Sequence, residues 1–190
     1  MKIIIAGVDE VGRGSLVGPV YAAAVILNKN LDKKKLKDSK KLSKKNREIL
    51  EKYIKKHSYW SIGSASLKEI EKLNILEATL LAMKRAIKKL KIKPKKVLID
   101  GNKLPKMKNY SLKYVIKGDQ KIPEISAASI IAKVSRDRLI SKMGKKYVKY
   151  SWSKNAGYGT KDHLFAIKKF GITKHHRKTF QPIHNILSPR

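Results

Sequence analysis

The chain has 190 residues, contains no cysteine, and carries 46 Lys and Arg residues against 14 Asp and Glu residues, a formal net charge of +32. The length suits one domain or a domain with a small appendage, and the lack of cysteine excludes disulfides and thiolate metal sites and fits a reducing cytoplasm. Because the lysines are spread along most of the chain, the charge favours a nucleic-acid partner over a membrane, the alternative being a composition that serves only solubility.

The first half of the chain alternates apolar segments with glycine-rich or lysine-rich connections. Apolar runs rich in β-branched and small residues predict strands, and apolar residues at helical spacing predict helices. A long connection between the first two strands is indicated by glycines and a proline, namely Gly12, Gly14, Gly18 and Pro19. The predicted elements are strands over residues 3–8 and 20–27, a helix over 44–56 with Ser43 as its N-cap, a strand over 59–66 and a helix over 74–90.

The second half alternates short strands with helices. Strands are predicted over residues 97–100 and 114–116, and helices over 124–143 and 161–170, with the remainder basic and irregular. Strands first, followed by alternation of strand and helix, predict an α/β fold with a mixed central sheet flanked by helices, and a helical appendage in the last 50 or so residues.

Acidic residues end three of the apolar segments, although the chain has only 14 acids. Asp9 and Glu10 follow the first strand, Asp100 ends a later one, and Asp119 follows Gly118 after the next. Ligand sites in open α/β sheets form beyond strand ends, so these carboxylates converge if their strands are neighbours. The alternative is a set of exposed acids at loop entrances.

Converging carboxylates repel one another unless a cation is present. Oxygen ligands select Mg²⁺ or Mn²⁺, and two such ions about 3.5–4 Å apart can cut a phosphodiester. The adjacent His175 and His176 suit zinc poorly and fit a basic loop better. The Gly12-Arg13-Gly14 loop offers bare backbone that a polyanion or a sugar can approach, and Arg13 can bind phosphate.

Nine motifs, taken together and in order, resemble the ribonuclease HII family over residues 5 to about 180. One departure is Val11, which stands where the family often has alanine. The motifs are Gly7-Val8-Asp9-Glu10-Val11-Gly12-Arg13-Gly14, Gly18-Pro19-Val20, Asp38-Ser39-Lys40-Lys41-Leu42, Asn74-Ile75 with Ala78-Thr79, Ile99-Asp100-Gly101, Gly118-Asp119, residues 125–134 with Arg136-Asp137, Gly157-Tyr158-Gly159-Thr160, and His176-Arg177.

The resemblance implies a ribonuclease H-like fold, with a catalytic domain over residues 1–145 and a helical extension over 146–190 that contributes to substrate binding. It implies that the catalytic and metal-binding residues are Asp9, Glu10, Asp100 and Asp119, with two Mg²⁺ or Mn²⁺ ions. The family acts as a monomer on RNA–DNA hybrids and on duplex DNA that contains ribonucleotides, and cuts 5′ of a single embedded ribonucleotide to leave 5′-phosphate and 3′-hydroxyl ends.

The same resemblance assigns substrate contacts. The Gly12-Arg13-Gly14 loop would recognise the 2′-OH, the group that separates RNA from DNA at a given site. Tyr158 would pack on the deoxyribose after the junction, and Ser39 and Lys40 would hold phosphates. Two rival interpretations are a noncatalytic nucleic-acid-binding protein and a nuclease of the same fold that cuts DNA.

Overall fold

The structure, a computed structural model, describes residues 3–36 and 42–188. A five-stranded sheet in the order β3-β2-β1-β4-β5 forms its centre. β1 is antiparallel to β2 and parallel to β4, β2 is antiparallel to β3, and β4 is parallel to β5, so the predicted mixed sheet is confirmed. The strands are β1 (Ile5–Val11), β2 (Val20–Leu27), β3 (Ser58–Ala65), β4 (Lys96–Asp100) and β5 (Ser111–Val115).

The helices cover both faces of the sheet, with α2 on one face and α1 and α4 on the other. Among the described residues, none of them is long and apolar enough to cross a membrane. The helices are α1 (Lys44–Lys56), α2 (Leu67–Lys88), α3 (Gly118–Lys121), α4 (Pro123–Lys146), α5 (Trp152–Asn155), α6 (Lys161–Phe170) and α7 (Gln181–Leu187).

The central strands are apolar on both faces because helices bury both. Alternate residues of a strand point to opposite faces, and Ala6, Val8 and Ala22 pack in the core cluster that contains α2. Ala23 and Val25 pack on the opposite face with α4. Because both faces of β2 are buried, this strand shows no alternation of polar and apolar residues. Its small alanines let the helices approach the sheet closely.

Helix α2 begins seven residues before the predicted start at Asn74, so the predicted boundary was wrong. Ser66 and Glu69 form a capping box at its true start. Asn74 interrupts the helix with φ 67°, and its side-chain oxygen accepts hydrogen bonds from the backbone of Leu76 and Glu77 at 2.9 and 3.1 Å. The predicted start therefore coincides with a second, internal helix start.

The C-terminal part packs against the beginning of the chain. A third hydrophobic cluster joins Leu16 and Val17 to Ile140 and to residues of the last segments, among them Trp152 and Ile167. The prediction of an irregular tail was wrong for α7, which starts with a proline in its first turn. The division at residue 145 stays a prediction, and it falls in the last turn of α4.

Candidate active site

Asp9 and Glu10 lie inside β1, which continues to Val11 instead of ending at Val8 as predicted. Asp9 is 6% exposed. It shares a strand face with Gly7, where any Cβ would overlap the backbone of Glu124 at the start of α4. Glu10 points to the other face and is partly exposed, and its N–H donates to Asp9 Oδ1 at 2.7 Å. The strand end thus presents two carboxylates in different directions.

Asp100 lies beside Asp9 because of the register in which the parallel strands β1 and β4 pair. Val8 is paired with Ile99, so the next residues, Asp9 within β1 and Asp100 at the end of β4, lie on neighbouring strands about 4.8 Å apart. Val97 and Ile99 face the α2 core, and Asp100 therefore faces the same side as Asp9. The expected meeting of strand ends is confirmed for these two acids.

Asp119 reaches this edge of the sheet through α3, where it occupies the first turn. The preceding residue, Gly118, is buried and donates its N–H to Asp100 Oδ1 at 2.6 Å. Asp119 itself is partly exposed and lines a shallow cavity with Lys33, Lys34 and Leu36. It therefore lies on a short helix next to the end of β4 and not at a strand end.

The carboxylates of Asp9, Glu10 and Asp100 lie close enough to repel one another. Burial, followed by the carboxylate of Glu10 and then that of Asp100, raises the pKa of Asp9 to about 8, although hydrogen bonds from Ser129 and from the Glu10 backbone act in the opposite direction. Burial also raises the pKa of Glu10, and the positive charge of Arg13 acts in the opposite direction. Within the described part of the chain, no lysine or arginine forms an ion pair with Asp9 or Asp100.

These properties fit a divalent cation. The donors are hard carboxylate oxygens, the donors that Mg²⁺ and Mn²⁺ prefer, and a cation would relieve their mutual repulsion. In residues 3–36 and 42–188, no three Asp, Glu or His side chains already form a complete ion-binding cluster. Mg²⁺ is commonly held by one or two carboxylates together with water and substrate phosphates, so an incomplete protein cluster suits it.

The Gly12-Arg13-Gly14 loop follows directly after the two carboxylates. Gly12 has φ 89°, and a Cβ there would overlap the guanidinium of Arg136, so any other residue would be strained at this position. A Cβ on Gly14 would meet no atom within 4 Å. Arg13 is exposed, and its guanidinium lies 3.4 Å from Glu10 Oε1. The loop is tightly packed at its first glycine and open at its second.

Two fully buried arginines hold the backbone of this region, and sequence reasoning did not assign them a role. Arg136 donates to the carbonyls of Val17, Pro19 and Ala156 at 2.8, 3.1 and 3.0 Å. Arg177 donates to the carbonyls of Arg13 and Gly18, both at 2.9 Å. In a chain with 46 basic residues, the composition gives no signal that separates these two from the solvated ones.

Tyr158 is next to the glycine loop, although it is distant in sequence. The N–H of Leu16 donates to the Gly157 carbonyl at 2.9 Å, and Ser15 and Tyr158 form an isolated β-bridge. The Tyr158 ring is partly exposed, with Lys133 Nζ and the Arg136 guanidinium each 5.7 Å from its centroid. The glycine loop and the Tyr158 loop are therefore direct neighbours.

The predicted phosphate contacts Ser39 and Lys40 lie outside the described residues. The flanking segment is anchored to α4 on one side, since Ser126 Oγ donates to the Leu36 carbonyl at 2.9 Å and Lys33 pairs with Glu124 at 3.1 Å.

Comparison with known proteins decides the family. The model of the family described as Ribonuclease HII matches residues 6–183. The chain belongs to the ribonuclease HII family. It is thus a metal-dependent endoribonuclease of the ribonuclease H class, which acts on the RNA of RNA–DNA hybrids.

Individual ribonucleases support this assignment. The chain is 74% identical to the ribonuclease HII of Pelagibacter ubique (strain HTCC1062) over 187 aligned residues. The aligned region covers 98% of this chain and 100% of the relative. The crystal structure of ribonuclease H2 from Pyrococcus horikoshii OT3 has a TM-score of 0.80 and 29% identity, covering 96% of each chain. A Bst ribonuclease HIII solved in complex with Mn²⁺ shares the fold, with a TM-score of 0.75 and 16% identity over 97% of this chain and 69% of that one.

Proposed function

We propose that this ribonuclease HII cuts 5′ of single ribonucleotides embedded in duplex DNA as well as within RNA–DNA hybrids, and leaves 5′-phosphate and 3′-hydroxyl ends. The observation that carries the proposal is the continuity of the site: the carboxylates of Asp9 and Glu10 are followed within two residues by the Gly12-Arg13-Gly14 loop, which itself contacts the Tyr158 loop. Recognition of a ribose and cleavage beside it would thus occur on one short surface.

Four carboxylates would hold two metal ions. Asp9, Glu10 and Asp100 would be the main ligands, with Asp119 as a peripheral one. When bound, the ions supply an activated water and stabilise the leaving oxygen. The Ser129 hydroxyl and the Gly118 N–H fix the orientation of the Asp9 and Asp100 carboxylates, which limits the rearrangement that ion binding requires.

The glycine loop would distinguish ribose from deoxyribose. The buried guanidinium of Arg177 fixes the Arg13 carbonyl, and that of Arg136 packs against Gly12, so the loop backbone keeps a defined position. A preorganised backbone can hydrogen-bond the 2′-OH without paying for ordering on binding. Tyr158 would pack on the next deoxyribose, and Ser39 and Lys40 would hold phosphates.

Several further features belong to the proposal. Both Mg²⁺ and Mn²⁺ suit the donor set, and the Mn²⁺ complex of the ribonuclease HIII concerns a protein that shares only the fold. Action as a monomer, a cytoplasmic location, and the functional division between residues 1–145 and 146–190 stay predictions.

The decisive experiment is cleavage of a DNA duplex that contains one ribonucleotide, with Mg²⁺ or Mn²⁺ present. Wild type should cut on the 5′ side of the ribonucleotide and leave an all-DNA duplex intact. Asp9→Asn should lose about a thousandfold or more in rate, because a metal ligand is worth several kcal/mol in the transition state, and should still bind the duplex. Asp162→Asn, at an exposed acid in α6, serves as a matched control that retains activity.

Each rival predicts a different result. A nuclease specific for DNA would cut the all-DNA duplex equally well, which would contradict the proposal. A noncatalytic binding protein would show no difference between wild type and Asp9→Asn.

A further inference from the structure

Behind the Tyr158 loop lies a pair of buried histidines that the cleavage chemistry does not use. His163 in α6 is 0% exposed and His176 is 1% exposed. Their Nε2 atoms are 3.2 Å apart, and the indole Nε1 of Trp152 lies 3.0 Å from His163 Nε2. Every ring nitrogen of the pair has a hydrogen-bond partner, because His163 Nδ1 lies 2.9 Å from the Tyr158 carbonyl and His176 Nδ1 lies 2.8 Å from the Thr173 backbone nitrogen.

The partners fix both tautomers. The indole N–H of Trp152 can only donate, so His163 Nε2 accepts and its proton is on Nδ1. The Thr173 backbone N–H also donates, so His176 Nδ1 accepts and its proton is on Nε2, directed at His163 Nε2. His163 Nδ1–H therefore donates to the Tyr158 carbonyl. Trp152 and His176 act together to hold His163 in the tautomer that makes this bond.

Besides the β-bridge to Ser15, two backbone hydrogen bonds hold Tyr158. Its N–H donates to the Asn155 carbonyl at 3.0 Å, and its carbonyl also accepts from the Thr160 N–H at 2.9 Å. The flanking Gly157 has φ 79°, its N–H donates to Asn155 Oδ1 at 2.8 Å, and its carbonyl accepts from the Leu16 N–H at 2.9 Å. The only side chain among the described residues that holds the Tyr158 carbonyl is His163.

We infer that His163 is a positioning residue that sets the direction of Tyr158 for recognition of the ribose–deoxyribose junction, with Trp152 and His176 fixing its tautomer. The inference rests on the function proposed above, since it assigns Tyr158 to the substrate. An apolar side chain would fill the same space within the hydrophobic cluster at a lower desolvation cost, so filling the core does not explain three linked polar groups.

Two isosteric variants separate the two ends of the imidazole. Asn places its amide near the Nδ1 position and keeps a donor for the Tyr158 carbonyl, whereas Gln places its amide near Nε2 and loses that donor. Rates are measured on two substrates, a duplex with one ribonucleotide and a uniform RNA–DNA hybrid. His163→Gln should lower the ratio of single-ribonucleotide to hybrid cleavage by about fivefold to tenfold, the effect of one lost hydrogen bond, and His163→Asn should keep it within about twofold.

A double-mutant cycle with Tyr158→Ala completes the test. If His163 acts through Tyr158, adding His163→Gln to Tyr158→Ala should not lower the ratio further. Additive losses, or equal losses on both substrates in His163→Gln with an unchanged ratio, would overturn the inference and indicate a purely structural role. Absence of single-ribonucleotide cleavage in wild type would instead overturn the proposed function.

A measurement on the unmodified enzyme does not depend on how the variants fold. The ¹⁵N chemical shifts of the His163 ring report which nitrogen carries the proton. The Nδ1–H tautomer is expected for His163 and the Nε2–H tautomer for His176. An Nε2–H tautomer for His163 would remove the bond to Tyr158 and overturn the inference.

Discussion

At the scale of single residues, the two glycines of one loop have opposite constraints. Gly12 combines φ 89° with contact to the guanidinium of Arg136, whereas nothing lies within 4 Å of the position that a Cβ on Gly14 would take. The same residue type is therefore required by packing at one position and leaves open space at the other. The sequence shows both glycines but not this difference, because the difference comes from an arginine far along the chain.

Replacement of each glycine by alanine should separate these roles. Gly12→Ala should lower the free energy of unfolding by roughly 2–4 kcal/mol, because it adds both left-handed backbone strain and overlap. Gly14→Ala should change stability by less than about 0.5 kcal/mol and still weaken cleavage at single ribonucleotides, since a methyl group would stand where the sugar approaches. Urea denaturation and the cleavage assay measure the two effects, and equal stabilities of the two variants would refute the assignment.

The carboxylates give a prediction about the metal. Ca²⁺ should compete with Mg²⁺ for the site and support little turnover, because its looser and larger coordination shell does not enforce in-line geometry. Competition is measured as inhibition of Mg²⁺-driven cleavage by added Ca²⁺. Cleavage with Ca²⁺ alone at a rate comparable to that with Mg²⁺ would contradict the proposed chemistry.

At the scale of elements, helices and strands with strong patterns were predictable and their interruptions were not. The bounds of β2, α1 and α6 match the predictions, since each has a clear apolar pattern and, for α1 and α6, a Ser or Thr cap. The extension of β1 through Asp9 and Glu10 was missed because acids are rare in strands. The capping box Ser66–Glu69 is visible in the sequence, and it would have revealed the true start of α2.

The interruption of α2 at Asn74 should be sensitive to the residue type. Asn74→Ala removes the side chain that caps the second part of the helix. It also leaves alanine at φ 67°, a left-handed conformation that no side-chain hydrogen bond then supports, so it should destabilise the protein by about 1–3 kcal/mol. Asn74→Gly tolerates the backbone conformation and should cost clearly less. The comparison uses denaturation midpoints of the two variants. A more stable alanine variant would show that the helix prefers to continue through this position.

At the scale of the whole molecule, the site is assembled from parts that no local pattern connects. The approach of Asp9 to Asp100 followed from strand order, which a general rule for α/β sheets anticipates. The contacts of Arg136 and Arg177 with the glycine loop, and that of His163 with Tyr158, were not predictable from the residues, because they depend on how distant segments pack together.

The buried histidines should make stability depend on pH. Burial, and then the charge of His163, lowers the pKa of His176 to about 4, and burial lowers the pKa of His163 as well. Unfolded histidine takes up its proton near pH 6.5, so between about pH 6.5 and 4 the unfolded chain binds more protons. Stability is therefore full above this window and falls as the pH decreases through it, by on the order of 2–3 kcal/mol for His176.

His176→Gln tests this dependence, because Gln can donate near the Nε2 position and does not titrate. The free energy of unfolding of the variant, measured between pH 7 and 4.5, should fall less steeply than that of wild type. Parallel pH profiles would show that the acid sensitivity arises elsewhere.

The buried guanidinium groups of Arg136 and Arg177 also determine when the glycine loop can reach its final conformation during synthesis. The acceptors of Arg136 include the carbonyls of Val17 and Ala156, and Arg177 holds the Arg13 carbonyl. The loop region is thus fixed by arginines that follow its acceptor residues by 119 and 164 positions in the chain. At roughly 5–20 residues per second, these arginines are made on the order of 6 to 30 s after the loop. A nascent chain therefore contains Asp9 and Glu10 before the two guanidinium groups that hold the neighbouring loop have been made, so the fixed loop geometry forms late in folding.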